Sequence, residues 1–245
     1  MIKVNLPGLI EVMQNSKKSP TLIGIVGQAG AGKTTVCEKI ESELGKEKVM
    51  VVRFDWFFKL SRKERKAWIE EEEKKHPQKW IARDQINWWD FEKAWKVLEG
   101  VKNGREILLK NVYNRADNGE LTGEVLIQPK PIVLVEGVPV ILLGSLCDHY
   151  IYIHAEPEIR KERLWGRDPR KGIEALKRWI VTQRFELREY KRPRLKLIDI
   201  FLNNSINYDS EIPSVLPAVA PGEVFQSLER QKKELQGLLK KIYGK

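Results

Sequence analysis

The chain has little from which to build a covalent or metal framework. Its two cysteines, Cys37 and Cys147, are far apart and in no metal-binding spacing, and the same holds for its three histidines, His76, His149 and His154. A disulfide scaffold and a structural zinc site are thereby excluded, and free thiols in a reducing compartment are the expectation. Cys37 is assigned to core packing, as is His154 at the end of an apolar run. Long apolar stretches are missing too. Nothing reaches the ~18 uninterrupted apolar residues of a membrane span, and Met1 to Lys18 carry no cleavage signature. A soluble, cytoplasmic protein with no membrane partner is expected; a homo-oligomer is compatible with all of this.

What is present suits one globular α/β unit with insertions. In 245 residues, 42% are hydrophobic and 32% charged, enough for a core beneath a very polar surface. Lys plus Arg is 44 against 34 for Asp plus Glu, a net +10. A basic excess draws anions, nucleotides and nucleic acid alike, and a Lys/Glu-rich solvated surface gives the same numbers. Charge alone does not choose a partner.

Short apolar runs alternate with helical periodicity. Residues 6–14 predict a short amphipathic helix with Pro7 in its first turn. Strands are predicted over Thr21–Val26, Val49–Phe54, Ile132–Val135, Tyr150–His154 and Ile198–Leu202. Helices are predicted over Lys33–Leu44, Ser61–Lys75, Phe91–Leu98 closed by Gly100, most of Glu156–Leu187, and Glu223–Ile242. Lys110–Gln128 reads as a hairpin and Ser210–Gly222 as a loop. The pattern implies parallel β-α-β units, hence a three-layer P-loop NTPase fold with a sheet of about five strands. Its core is expected over about 20–55 and 130–245, with a substrate-side insertion over about 56–130 and a short Arg-rich lid over about 163–172.

Gly27–Gln28–Ala29–Gly30–Ala31–Gly32–Lys33–Thr34, with Thr35 behind it, follows the first strand and opens a helix. Glycines let backbone N–H groups curl around phosphate oxygens, and the helix N-terminus adds partial positive charge. Lys33 is placed for the β- and γ-phosphates and Thr34 for Mg²⁺, so ATP or GTP with Mg²⁺ is the expected cofactor set. Asp55 follows the second strand, where open α/β sheets place their sites; it suits an acceptor base or the metal's water shell. Glu136 closes an apolar strand in the Walker B manner and is a further metal candidate with Thr34 and Asp55. Arg163, Arg167 and Arg170 lie in a Gly- and Pro-containing stretch suited to a charge-neutralising lid.

In order and spacing over residues 21–202, these motifs resemble the uridine kinase, phosphoribulokinase and pantothenate kinase superfamily. The matching segments are Gly27–Thr35, Asp55–Phe58, Asn87–Trp95, Val112–Asn118, Ile132–Gly137 and Arg163–Arg170. The resemblance implies that Asp55 is the acceptor-side base and a metal-shell acid, that Asp90 grips acceptor hydroxyls, that Tyr113 lines the acceptor pocket and that the arginines form the lid. It places Asp90 one residue off register, with Trp88 where the family's first Asn stands. The uridine-type hairpin, Tyr-Asp-Phe-x-x-His, reads Tyr113–Asn114–Arg115–Ala116–Asp117–Asn118. Arg115 and Asn118 thus replace the base-stacking aromatic and base-reading histidine, and Arg115 is read either as facing an anionic acceptor or as a solvent-facing hairpin arginine.

Six of the eight tryptophans fall between 56 and 95. Trp56, Trp88 and Trp89 are assigned to an acceptor pocket, Trp68, Trp80 and Trp95 to helix packing. The leading expectation is a kinase acting on the hydroxyl of a nucleoside or sugar-like small molecule. The rivals are a kinase for an anionic acceptor, a nucleic-acid-associated NTPase or polynucleotide kinase suggested by Lys59–Lys66 and Lys191–Lys196, and a nucleotide-binding switch. No nucleic-acid-binding module is recognisable.

Overall fold

A computed structural model of the chain describes residues 20–75, 85–167, 172–205 and 216–243. The helix expected over 6–14, together with His76, Trp80 and Arg170, lies outside them. Five parallel strands form one sheet in the order β2-β5-β1-β6-β7: β1 (Thr21–Val26), β2 (Val49–Arg53), β5 (Ile132–Glu136), β6 (His149–His154) and β7 (Ile200–Asn203). β1 and β5 are buried along their whole length, as parallel strands covered on both faces must be. Period-2 alternation splits β1 between two cores. Ile23 and Ile25 meet Val36, Ile40 and Leu44 of α1 (Lys33–Leu44). Leu22 and Val26 face the opposite core, which holds the acceptor-side elements. Among the described residues no helix is long and apolar enough to cross a membrane.

Beyond β2 the chain departs from expectation in an informative way. The strand stops at Arg53, and Phe54–Phe57 forms a 3-10 turn instead. Phe54 still turns inward, against Phe57 and Phe91, so an apolar residue that reads as strand is filling core from a turn. α2 (Arg62–Lys75) starts with a reciprocal capping box. The Ser61 N–H donates to Glu64 Oε2 (2.7 Å), and the Glu64 N–H donates to Ser61 Oγ (3.2 Å).

α3 runs over Phe91–Lys102 and is not closed by Gly100. A Cβ on Gly100 would lie 2.7 Å from Ile107 Cδ1. Gly100 is therefore a close-approach residue under the antiparallel hairpin of β3 (Ile107–Asn114) and β4 (Glu120–Ile127). The buried stripe of α3 is Ala94, Val97, Leu98 and Val101. Trp95, one residue off that stripe, is 40% exposed and does not pack the helix onto the core.

The remaining helices are α4 (Pro157–Arg167), α5 (Gly172–Glu189), the short α6 (Arg192–Leu195) and α7 (Pro221–Tyr243). Val138–Leu146 adds a 3-10 segment that the sequence pattern does not announce.

His154, at the end of β6, is buried, with Nε2 3.3 Å from Glu156 Oε1. Burial lowers its pKa, with Glu156 opposing in part. An unfolded histidine takes up its proton near pH 6.5, the folded one only at lower pH. Between those values acid favours the unfolded chain, so stability falls as the pH drops below 6.5. The slope contributed is at most about 1.4 kcal/mol per pH unit. Urea unfolding between pH 7 and about 5.5 should show a shallower pH dependence in His154→Gln than in the wild type; equal slopes would remove His154 from the account.

Candidate active site

The sheet brings three strand ends to one edge. β5 lies between β1 and β2, with Glu136 in register with Ile25 on one side and Arg53 on the other. The loop after β1, the turn carrying Asp55 and the carboxylate of Glu136 therefore share the carboxyl edge of the sheet, where open α/β folds bind ligands.

The loop is built by its glycines and its braces. Gly30 and Gly32 have φ of 79° and 89°, the left-handed region that glycine occupies without strain. Gly32 also stands against Asn204, whose Nδ2 donates to Ala31 O (2.7 Å). The Gly27 N–H donates to the Tyr190 hydroxyl (2.8 Å), which lies 2.7 Å from Val138 O. α1 then begins at Lys33 with no acid in its first turn, leaving its positive end to an anion. The Lys33 ammonium is buried and donates to Gly27 O (3.0 Å) and Gln28 O (3.1 Å). Burial lowers its pKa, while Glu136, Glu186 and Asp55 pull it back up.

Thr34 Oγ1 donates to Glu136 Oε1 at 3.0 Å. Glu136 is 6% exposed; burial raises its pKa, and Lys33 opposes that. Asp55 is half-buried and paired with Arg115 from the hairpin. Among the described residues no group of three or more His, Cys, Asp or Glu side chains forms a cation cage. Mg²⁺ does not require one. It keeps several waters and takes one or two carboxylates plus substrate phosphates. A hydroxyl already bonded to a carboxylate, with a second carboxylate close enough to perturb it, fits that donor set.

On the acceptor side, Asp90 caps α3: its Oδ1 accepts the Lys93 N–H at 2.9 Å. Tyr113 is buried on β3, edge-on to Phe58. Trp56 and Trp88 are half-buried against the core, and the Trp88 indole N–H is buried with no acceptor among the described residues. Trp89 is not a pocket residue. It stacks between Phe58 (4.9 Å) and Phe185 (5.8 Å) within the core. Trp68 meets Trp88 edge-on at 6.1 Å. Arg65 was not among the candidates, yet its guanidinium lies 3.8 Å from the Phe58 ring centroid and 4.7 Å from that of Tyr113.

Of the lid arginines, Arg163 braces the loop: Nη1 donates to Gly30 O (3.2 Å) and Nη2 to Asn204 O (3.1 Å). Arg167 ends α4, and its side chain, like Arg170, lies outside the described residues. The sequence motifs also missed a buried polar group behind the loop: Arg160, Gln183, Glu186 and Gln231 gathered around Gln28 and Ala29, with Tyr190 on Gly27. One signal was there. Trp179, Gln183, Glu186 and Tyr190 follow a 4-3-4 spacing, a single helix face, so two polar side chains stand on a stripe that is otherwise aromatic.

The model of the Phosphoribulokinase / Uridine kinase family matches residues 22–206. Uridine kinase-like protein 5 of Arabidopsis thaliana is 24% identical over 206 residues, covering 81% of this chain; the chain spans 42% of that protein's length. The uridine kinase of Latilactobacillus sakei is 25% identical over 221 residues, covering 83% of this chain and 98% of its own. Among solved structures, phosphoribulokinase from Rhodobacter spheroides aligns with a TM-score of 0.55 at 14% identity, over 77% of this chain and 71% of its own. At that identity the likeness speaks for the P-loop kinase fold.

Proposed function

The chain belongs to the Phosphoribulokinase / Uridine kinase family, and from that premise we propose that it is a cytoplasmic kinase transferring the γ-phosphate of ATP, with Mg²⁺, to a hydroxyl of a nucleoside or sugar-like metabolite. The observation that carries this reading is the meeting of Lys33, the Thr34–Glu136 hydrogen bond and Asp55 at one sheet edge. That is a phosphate cradle, a metal-holding pair and a base candidate within one electrostatic neighbourhood.

In this account the loop amides and Lys33 hold the phosphates. Thr34, Glu136 and Asp55 hold Mg²⁺, which when bound offsets charge on the β- and γ-phosphate oxygens. Asp55 orients the acceptor hydroxyl for in-line attack and takes its proton. Arg167 and Arg170 supply guanidinium groups toward the transferred phosphoryl, while Arg163 keeps Gly30 in place. Residues 56–130 form the acceptor side, where Asp90, Tyr113, Trp56, Trp88 and Arg115 line the approach to Asp55. The pairing of Arg115 with Asp55, and Arg65 nearby, favour as second reading an acceptor that carries an acidic group.

ADP release measured against nucleosides, sugars, polyols and hydroxy acids tests this. Release that requires Mg²⁺ and rises with one of these acceptor classes is expected. Tight nucleotide binding with ADP release indifferent to every acceptor would instead indicate a nucleotide switch.

A further inference from the structure

Behind the P-loop lies an ion pair that the proposed phosphoryl transfer does not use. Arg160 of α4 and Glu186 of α5 are both 0% exposed. Arg160 Nη1 is 3.3 Å from Glu186 Oε2. The pair engages both backbone groups of one loop residue. Glu186 Oε1 accepts the Ala29 N–H at 2.5 Å, and Arg160 Nη1 donates to Ala29 O at 3.3 Å.

The neighbouring side chains extend the same grip. Gln28 Nε2 donates to Gln231 Oε1 (3.0 Å) and Glu186 Oε2 (3.3 Å). Arg160 Nη2 donates to Gln183 Oε1 and Gln231 Oε1, each at 3.0 Å, and Gln183 Nε2 donates to Glu186 Oε2 at 2.9 Å. Three helices, α4, α5 and α7, are thereby tied to two consecutive loop residues.

Such a pair is a poor device for stability. Both charges leave water at large cost, and well-packed apolar residues in their place are often neutral or stabilising. Arg160 Nε has no acceptor among the described residues, which adds to that cost. What the pair supplies is direction: a charged acceptor for the N–H of Ala29 and a charged donor for its C=O, which together fix the two peptide groups flanking that residue.

We propose that Arg160 and Glu186 are positioning residues, which clamp Ala29 and hold the P-loop in its phosphate-receiving curve before nucleotide arrives. This rests on the reading that Gly27–Thr35 binds nucleotide.

Mg·ATP affinity by titration calorimetry and thermal midpoint are to be compared across wild type, R160M/E186L and E186Q. The apolar pair should keep or raise the midpoint yet weaken Mg·ATP binding about ten- to hundredfold. Glu186→Gln keeps an oxygen for Ala29 but leaves Arg160 unpaired, so it should lower the midpoint and bind nucleotide more tightly than the apolar pair does. That crossing of the two orders is not what a merely structural role gives. Affinity that follows the midpoint through the series, or an apolar pair that binds like the wild type, would overturn the proposal.

Amide hydrogen exchange on the nucleotide-free wild type gives a test that needs no variant to fold. Ala29 should be protected like the amides of β1, and exchange at the rate of an exposed loop amide would overturn the clamp. A wild type that fails to bind Mg·ATP overturns the nucleotide reading instead, and the exchange of Ala29 then decides the clamp on its own.

Discussion

Lys33→Ala should lower kcat/KM for ATP about 10²–10³-fold while leaving the chain folded. Lys33 is a buried ammonium on which Glu136, Glu186 and Asp55 all act, pulling its pKa up against burial. Without it, an arriving triphosphate meets these carboxylates with no ammonium from the loop beside them, and more of the neutralisation falls on Mg²⁺ and the arginines. The fold should tolerate the loss. Among the described residues the ammonium bonds to the carbonyls of Gly27 and Gln28, and its burial already disfavours its charge. A change of about 1 kcal/mol or less in unfolding free energy is expected. Steady-state ADP release with thermal melting on the same preparation separates the two effects. Undiminished turnover would remove the P-loop from the chemistry; an inactive variant that no longer melts cooperatively would place the loss in folding.

Asp55→Asn should reduce kcat about 10²–10⁴-fold while changing the dissociation constant of the nucleotide by only a few-fold. The substitution keeps the side chain's size and an oxygen for Arg115, which now pairs with Asp55. It removes the charge that would accept the hydroxyl proton. Because Asp55 belongs to the turn after β2 and not to the phosphate loop, binding and turnover should separate. Single-turnover transfer and equilibrium nucleotide binding on the same variant read the split. Unchanged turnover would dismiss Asp55 as the base. Loss of nucleotide binding equal to the loss of rate would reassign it to holding Mg²⁺ alone.

The parts of this protein that could be read from sequence are those whose information is local. Thr21–Val26 followed by Gly27–Thr35 states strand, loop and helix within fifteen consecutive residues, and the structure places them so. Glu136 was legible because an acid ending a wholly apolar strand has few other reasons to be there. Element ends were less legible where one residue type serves two purposes. Phe54 reads as strand but fills core from a 3-10 turn. Gly100 reads as a helix stop but lies inside α3, with the end of the Ile107 side chain against it. Trp89 and Trp95 are both aromatic in an aromatic-rich stretch, and only rotation about α3 and the stacking partners decide that one is core and the other exposed. The clamp behind the loop was legible only as two polar residues, Gln183 and Glu186, on an otherwise aromatic helix face. Gln28, Arg160, Gln183, Glu186 and Gln231 come from four segments and meet only after the sheet and its helices have packed.

The central claim is that this phosphate cradle serves transfer to a small-molecule hydroxyl and not hydrolysis or signalling. The most direct test follows the γ-phosphorus itself. Purified protein is incubated with ATP labelled at the γ-phosphate, Mg²⁺ and a hydroxyl acceptor from the class that stimulates ADP release. The account predicts label in an organic phosphate ester, absent when the acceptor is withheld and absent with Asp55→Asn. Label recovered only as inorganic phosphate, with or without acceptor, would contradict it.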